Sequence, residues 1–218
     1  YPQDLTIVMV GDSMTERLGN SDELRADLKK YNPNKSVEIL NYGFGSTNLL
    51  SVPDRLEKDT FYQRIFRPIL DIDFDLVLIE SFGHNPLSQF PLEEGLQKQT
   101  QTLDIIVSKI KSENPRAKII FVTTIAPSKY HYAEYIVDLT PEKRAAWADE
   151  RIAYIKNHMD FAKSHNIPLI DVFSKSLNSD GELNLDYVLS NDYIHPSPNG
   201  IYLISDEIAK FLYENKYY

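Results

Sequence analysis

Four short stretches carry side chains whose types suit acyl chemistry: "GDSM" at 11–14, "NYGFGSTN" at 41–48, "SFGHNP" at 81–86 and "DYIHPSPNG" at 192–200. Hydrolysing an ester takes a nucleophile, a base for its proton, and hydrogen-bond donors for the oxyanion that forms on the acyl carbon. Ser13 can supply the hydroxyl. His195 can supply the base, because a neutral imidazole exchanges protons near working pH. Asp192 precedes it by three residues, close enough in a turn to hold that imidazole in one tautomer. Donors for the oxyanion come from the N–H of Ser13, the N–H of Gly45, where a missing side chain allows close approach, and the Asn85 amide.

Each residue also has a plainer role. Ser13 can cap a helix, Asp192 can cap a turn, Asn85 before Pro86 is a common turn residue, and Gly43 and Gly45 can simply form a turn. The four stretches together favour chemistry. Asp12 reads as a structural hydrogen-bonder, since no second carboxylate follows at short spacing. His84 has no partner histidine at metal spacing, so a surface position or a supporting place beside the site suits it. His158 and His165 read as exposed helix positions. "GFGSTN" imitates a dinucleotide fingerprint, but Asn48 stands where the third glycine belongs, and no G-x-x-x-x-G-K-[ST] occurs anywhere.

The elements that must position these residues alternate. Short apolar runs at 5–10, 37–42, 74–79, 118–125 and 168–173 predict strands, mostly continuous rather than alternating, as in parallel strands covered on both faces. Helical patterns fill the intervals at 22–31, less regularly at 54–70, and then at 92–112, 141–165 and 198–213. Thr140 and Pro141 supply a cap and a first helical residue. This alternation implies right-handed βαβ units and an α/β fold, a three-layer α/β/α sandwich around a parallel sheet of about five strands, with one domain over 1–218. Ligands bind such sheets beyond the carboxyl ends of the strands. Ser13, the Gly43–Gly45 turn and Asn85 all follow strands, and the segment before the last helix can fold back over that edge. The tyrosine-rich connection at 128–139 brings Tyr130, Tyr132 and Tyr135, which with His84 are candidates for a substrate rim.

With "GDS" at 11–13, the glycine block at Gly45, "GHN" at 83–85 and "DYIHP" at 192–196 in that order over nearly the whole chain, the sequence resembles the SGNH hydrolases, the GDSL lipase and esterase family. The resemblance implies a flavodoxin-like sandwich and a serine esterase, with Ser13 as nucleophile, His195 as base, Asp192 orienting it, and Ser13, Gly45 and Asn85 as the oxyanion hole. It implies no metal and no cofactor. Two residues depart from the family pattern: Met14 replaces the commoner leucine, and Pro86 stands where an aspartate usually follows the asparagine. Pro86 itself restricts Asn85 toward extended backbone. The expected substrate is a small-molecule or glycan ester, with a short acyl group and an O-acetylated carbohydrate as the preferred class. Acyl transfer to another alcohol shares the acyl-serine step, and lipase or thioesterase activity belongs to the same family. A non-catalytic glycan- or peptide-binding module using the tyrosines is the reading from another class.

Composition narrows the field. A net charge of -9 over 218 residues offers no basic face for nucleic acid. The absence of cysteine removes thiol catalysis, thiolate metal sites and disulfides. No apolar run approaches the roughly 18 residues of a membrane helix, and the start at Tyr1, without a signal-peptide pattern, fits a mature extracytoplasmic or trimmed chain. Compartment and oligomeric state stay open.

Overall fold

The computed structural model describes residues 4–61 and 63–218, with backbone alone at 60 and 61. Five parallel strands, β1 (Leu5–Gly11), β2 (Val37–Gly43), β5 (Leu76–Glu80), β6 (Lys118–Val122) and β7 (Leu169–Ile170), form one sheet in the order β2-β1-β5-β6-β7. A small antiparallel pair, β3 (Thr60–Phe61) and β4 (Arg64–Ile65), stands apart from it. The helices are α1 (Ser13–Glu16), α2 (Asp22–Tyr31), α3 (Val52–Glu57), α4 (Leu92–Glu113), α5 (Pro141–Ser164), α6 (Val172–Lys175) and α7 (Pro198–Glu214).

Period-two alternation in the strands sorts the core into two layers. Ile7 and Met9 of β1, with Leu76 and Leu78 of β5, pack toward Leu24 and Leu28 of α2 and Ile204 and Ile208 of α7. Val8, Val10, Val77 and Ile79 face the other way, toward Leu103 and Ile106 of α4 and Phe161 of α5. Every one of these is buried, and full burial of a Val or Ile side chain contributes roughly 1.5–3 kcal/mol. Both faces are therefore covered, as the continuous apolar runs require.

The chain adds β2 on one side of β1 and then crosses to add β5 on the other. Strand order thus reverses between β1 and β5, and the crevice at their carboxyl ends is where such sheets bind ligands. Ser13 lies just past β1 and Asn85 just past β5.

Four expectations need correction. The pattern at 54–70 resolves into α3, the β3–β4 pair and a short 3-10 turn at Ile69–Asp71. The run at 118–125 ends as strand at Val122. The run at 168–173 keeps only two strand residues, because the Asp171 side chain accepts from Ser174 N–H and starts α6. His158 is fully buried, stacked on Phe121 with ring centroids 4.2 Å apart, while His165 is exposed as expected.

Candidate active site

The residue at the end of β1 decides what Ser13 is free to do. Asp12 is the N-cap of α1, its Oδ1 accepting from Met14 N–H at 2.8 Å. With the cap supplied by Asp12, Ser13 becomes the first helical residue, and its hydroxyl faces the imidazole of His195, with Oγ 3.2 Å from Nε2. The two residues are 182 positions apart in sequence.

Before α7, Leu189 N–H donates to His195 O at 2.8 Å and Val188 bridges Pro196, closing a tight loop around the histidine. Asp192 sits inside that loop. Its Oδ2 lies 2.8 Å from His195 Nδ1, and its Oδ1 accepts from the N–H groups of Ile194 and His195. Burial pushes the Asp192 carboxyl up, but the His195 ring and those two N–H groups prevail and hold it below its ordinary value. An ionised Asp192 fixes Nδ1–H toward itself and leaves Nε2 a lone pair for the serine proton. Ser197 then caps α7 by accepting from Gly200 N–H.

Of the groups expected as oxyanion donors, the Gly45 N–H and the Asn85 amide are already engaged. A Cβ built on Gly45 would meet Ser13 Cβ at an ordinary contact distance of 3.7 Å but would lie only 2.6 Å from Glu16 Oε2, so the missing side chain makes room for that carboxylate. The Gly45 N–H donates to Glu16 Oε2 at 3.0 Å, and Glu16 Oε1 pairs with Arg64 at 3.3 Å. Asn85 Nδ2 donates to Asp12 Oδ2 at 2.7 Å, which leaves its second N–H for another acceptor. Its own backbone N–H closes a turn on Phe82 O.

Two of the four rim candidates are elsewhere. His84 is buried, with Nε2 2.8 Å from Ile125 O and Nδ1 3.1 Å from the Tyr132 hydroxyl. Since a carbonyl only accepts, Nε2 carries the proton and Nδ1 accepts from Tyr132. Tyr132 is only 2% exposed, under the Arg151 guanidinium. Burial lowers His84 to about 4 and raises Tyr132 to about 12, so both are neutral braces tying the loop after β5 to the 128–139 connection. Tyr130 and Tyr135 are exposed at 69% and 75%. Tyr135 lies 6.2 Å, ring to ring, from Tyr193, which in turn lies 5.1 Å from His131.

Sequence reasoning passed over Glu80, Glu16 and Arg55. Glu80 closes the apolar run "LVLIE" just before one of the four chemical stretches, and that position was a usable signal. Glu16 and Arg55 gave none, since acidic and basic residues on short helices are ordinarily solvated.

Residues 9–201 match the sequence profile of the GDSL-like lipase/acylhydrolase family. The chain belongs to that family. It is accordingly an enzyme that hydrolyses esters. No curated protein matches the sequence. Among solved structures, the lipase/acylhydrolase from Enterococcus faecalis superposes with a TM-score of 0.70 at 18% identity, covering 97% of this chain and 96% of that one. An acetyl xylan esterase gives 0.65 at 16% identity over 94% and 98% of the two chains. A GDSL-like lipase from Bacteroides thetaiotaomicron gives 0.63 at 14% over 97% and 88%. At these identities the likeness speaks to the fold, which is the five-stranded SGNH-type sandwich expected from the sequence. Among the described residues no helix is long and apolar enough to cross a membrane.

Proposed function

We propose that this family member is a serine esterase that cleaves a short-chain carboxylic ester through an acyl-serine intermediate. Ser13 Oγ attacks the carbonyl carbon while His195 Nε2 takes its proton, and Asp192 holds the imidazole and balances its charge. As the tetrahedral intermediate collapses, the bond to the alcohol oxygen breaks and His195 returns the proton to the departing alcohol. Water then repeats the attack on the acyl group, giving its proton to His195, and the acid leaves as Ser13 recovers that proton. The oxyanion is met by the N–H of Ser13 and the second N–H of Asn85. The Gly45 N–H joins them once Glu16 withdraws.

One observation carries this reading: Ser13, His195 and Asp192 form a continuous hydrogen-bonded line of 3.2 Å and 2.8 Å steps. For the substrate, the ledge of Tyr135 and Tyr193 beside the His195 loop favours a ring-bearing alcohol such as a sugar. That supports an O-acetylated carbohydrate, and the acetyl xylan esterase has the same fold. Ser13→Ala tests the nucleophile: turnover of p-nitrophenyl acetate should fall by about 10⁵–10⁶. A panel of esters varying acyl length and alcohol tests the substrate, with kcat/KM highest for acetylated oligosaccharides. Preference for long acyl chains would refute the carbohydrate assignment.

A further inference from the structure

Bonded to the residues on either side of Ser13 lie two carboxyl groups that the mechanism above does not use. Asp12 is 0% exposed and Glu80 5%. Glu80 Oε2 accepts from Asp12 N–H at 3.1 Å, Thr15 N–H at 3.2 Å and Thr15 Oγ1 at 2.7 Å, while Oε1 accepts from Phe82 N–H at 3.1 Å. The two carboxyl groups are near enough that each acts on the titration of the other. The glycine before Asp12 is there for this group: a Cβ at Gly11 would lie 2.0 Å from Thr15 Oγ1 and 2.3 Å from Glu80 Oε2. Glu80 thereby joins the end of β5 to both residues flanking Ser13, and Asp12 passes the connection on to the Asn85 amide.

Two adjacent carboxylates in a site this dry would repel each other and lose the solvation that a charge needs. The hydrogen-bond donors that meet the two carboxyls are all neutral. Met14, Leu18, Leu78, Val122, Ile204 and Ile208, with Thr15, Thr123 and Thr124, line a cavity of about 30 Å³ against Glu80, and none is charged. Arg55, from α3, is the cation whose charge acts on Asp12, where burial outweighs it; its Nη1 donates to Gly11 O and Tyr42 O and its Nη2 to Ser51 Oγ. Tyr132, which feels the Asp12 charge, is neutral, as is His84, and the charged form of His195 is answered by Asp192.

We propose that Glu80 is a positioning residue for the oxyanion site: Glu80 and Asp12 hold one proton between them, and this bridged pair fixes the Asn85 amide and the first turn of α1 under Ser13. The catalytic part rests on the esterase reading above. Burial, then the Asp12 charge, hold the Glu80 carboxyl well above its ordinary range, in keeping with a retained proton. Because the pair titrates as a unit, the proton belongs to both groups.

The test compares Glu80→Gln with Glu80→Ala. Glutamine imitates the protonated acid, donating to Asp12 and accepting from Thr15, and gives up only the Phe82 N–H contact. With p-nitrophenyl acetate at pH 7, Glu80→Ala should lose about 10²-fold in kcat with KM nearly unchanged, the mark of a contact that matters in the transition state. Glu80→Gln should recover at least tenfold of that loss. A Glu80→Ala enzyme as fast as wild type, or a Glu80→Gln enzyme as slow as Glu80→Ala, overturns the proposal.

A second measurement needs no turnover. A carboxyl whose pKa is raised on folding contributes its stability at low pH and loses it as pH rises from about 4.5 toward the folded value. The difference in Tm between Glu80→Gln and wild type should therefore grow steadily in favour of the variant from pH 5 to pH 8. A constant difference would mean that no proton is shared, and would overturn the proposal even if Glu80→Ala failed to fold. Absence of ester turnover by the wild type would count against the esterase reading alone, since the Tm series reports on the pair regardless.

Discussion

Two carboxyl sites flank Ser13, and they are tuned in opposite directions. In front, Asp192 sits in a loop with a partly open side, receives two backbone N–H bonds and faces an imidazole, and its pKa is depressed. Behind, Glu80 and Asp12 are sealed between β1, β5 and α1, and burial raises both. Identical chemistry yields a fixed anion on one side and a retained proton on the other. The difference lies in burial and in the neighbouring charge: Glu80 is fully enclosed beside another carboxyl, whereas Asp192 is partly open and faces an imidazole. The front region holds the group that must exchange protons every cycle, and the back region holds the backbone and the amide that must not move.

That contrast can be broken from either side. In front, Asp192→Asn removes the charge while preserving shape, and kcat on p-nitrophenyl acetate should drop by about 10⁴ through loss of the correct imidazole tautomer. A loss below tenfold would mean that Asp192 does not orient His195. Because its pKa is depressed, the stability Asp192 contributes is present above about pH 3.8 and is lost as pH falls through its folded value. Asn85→Ala, at the outlet of the back region, should cost about 10²–10³ in kcat.

Smaller effects sharpen the comparison. Glu16→Ala frees the Gly45 N–H, and a several-fold rise in kcat/KM would identify Glu16 as a carboxylate that competes with the oxyanion; a fall would identify it as a brace for the Gly45 turn. The buried histidines act on stability rather than on rate. Burial holds His158 to about 3 and His84 to about 4, so the native state resists their protonation. The stability lost on acidification should begin near pH 6.5 and accrue at roughly 1.4 kcal/mol per pH unit for each histidine. His158→Phe should flatten that slope in a denaturant series between pH 6 and pH 4.

How much of this was legible beforehand follows from the range of the interactions. β1 was readable to within one residue, because a strand in the middle of a parallel sheet writes its burial into every position; β2, an edge strand with mostly half-buried residues, was readable as closely from its β-prone run between polar turns. β7 was overread because the Asp171 side chain caps α6 and ends the strand after two residues. The GDS and DYIHP stretches named Ser13, Asp192 and His195, which the fold brings into one hydrogen-bonded line, and the glycine and GHN stretches follow β2 and β5 at the same edge of the sheet. His84 and Tyr132 were misplaced as rim because a histidine or tyrosine in a loop carries no local mark of burial; only their contact with each other and with Ile125 decides it. The Asp12–Glu80 pair was out of reach for the same reason. Its members stand 68 residues apart, and adjacency in register across the sheet cannot be read from either neighbourhood alone.

The account stands on an activated Ser13, and covalent labelling reads that most directly. A fluorophosphonate, which reacts only with a serine whose proton is being withdrawn, should add one equivalent to the wild-type chain, and peptide mass mapping should place it on Ser13. Labelling should vanish in Ser13→Ala and slow steeply in His195→Ala. A wild-type chain that stays unlabelled, or one labelled on another residue, would contradict the account.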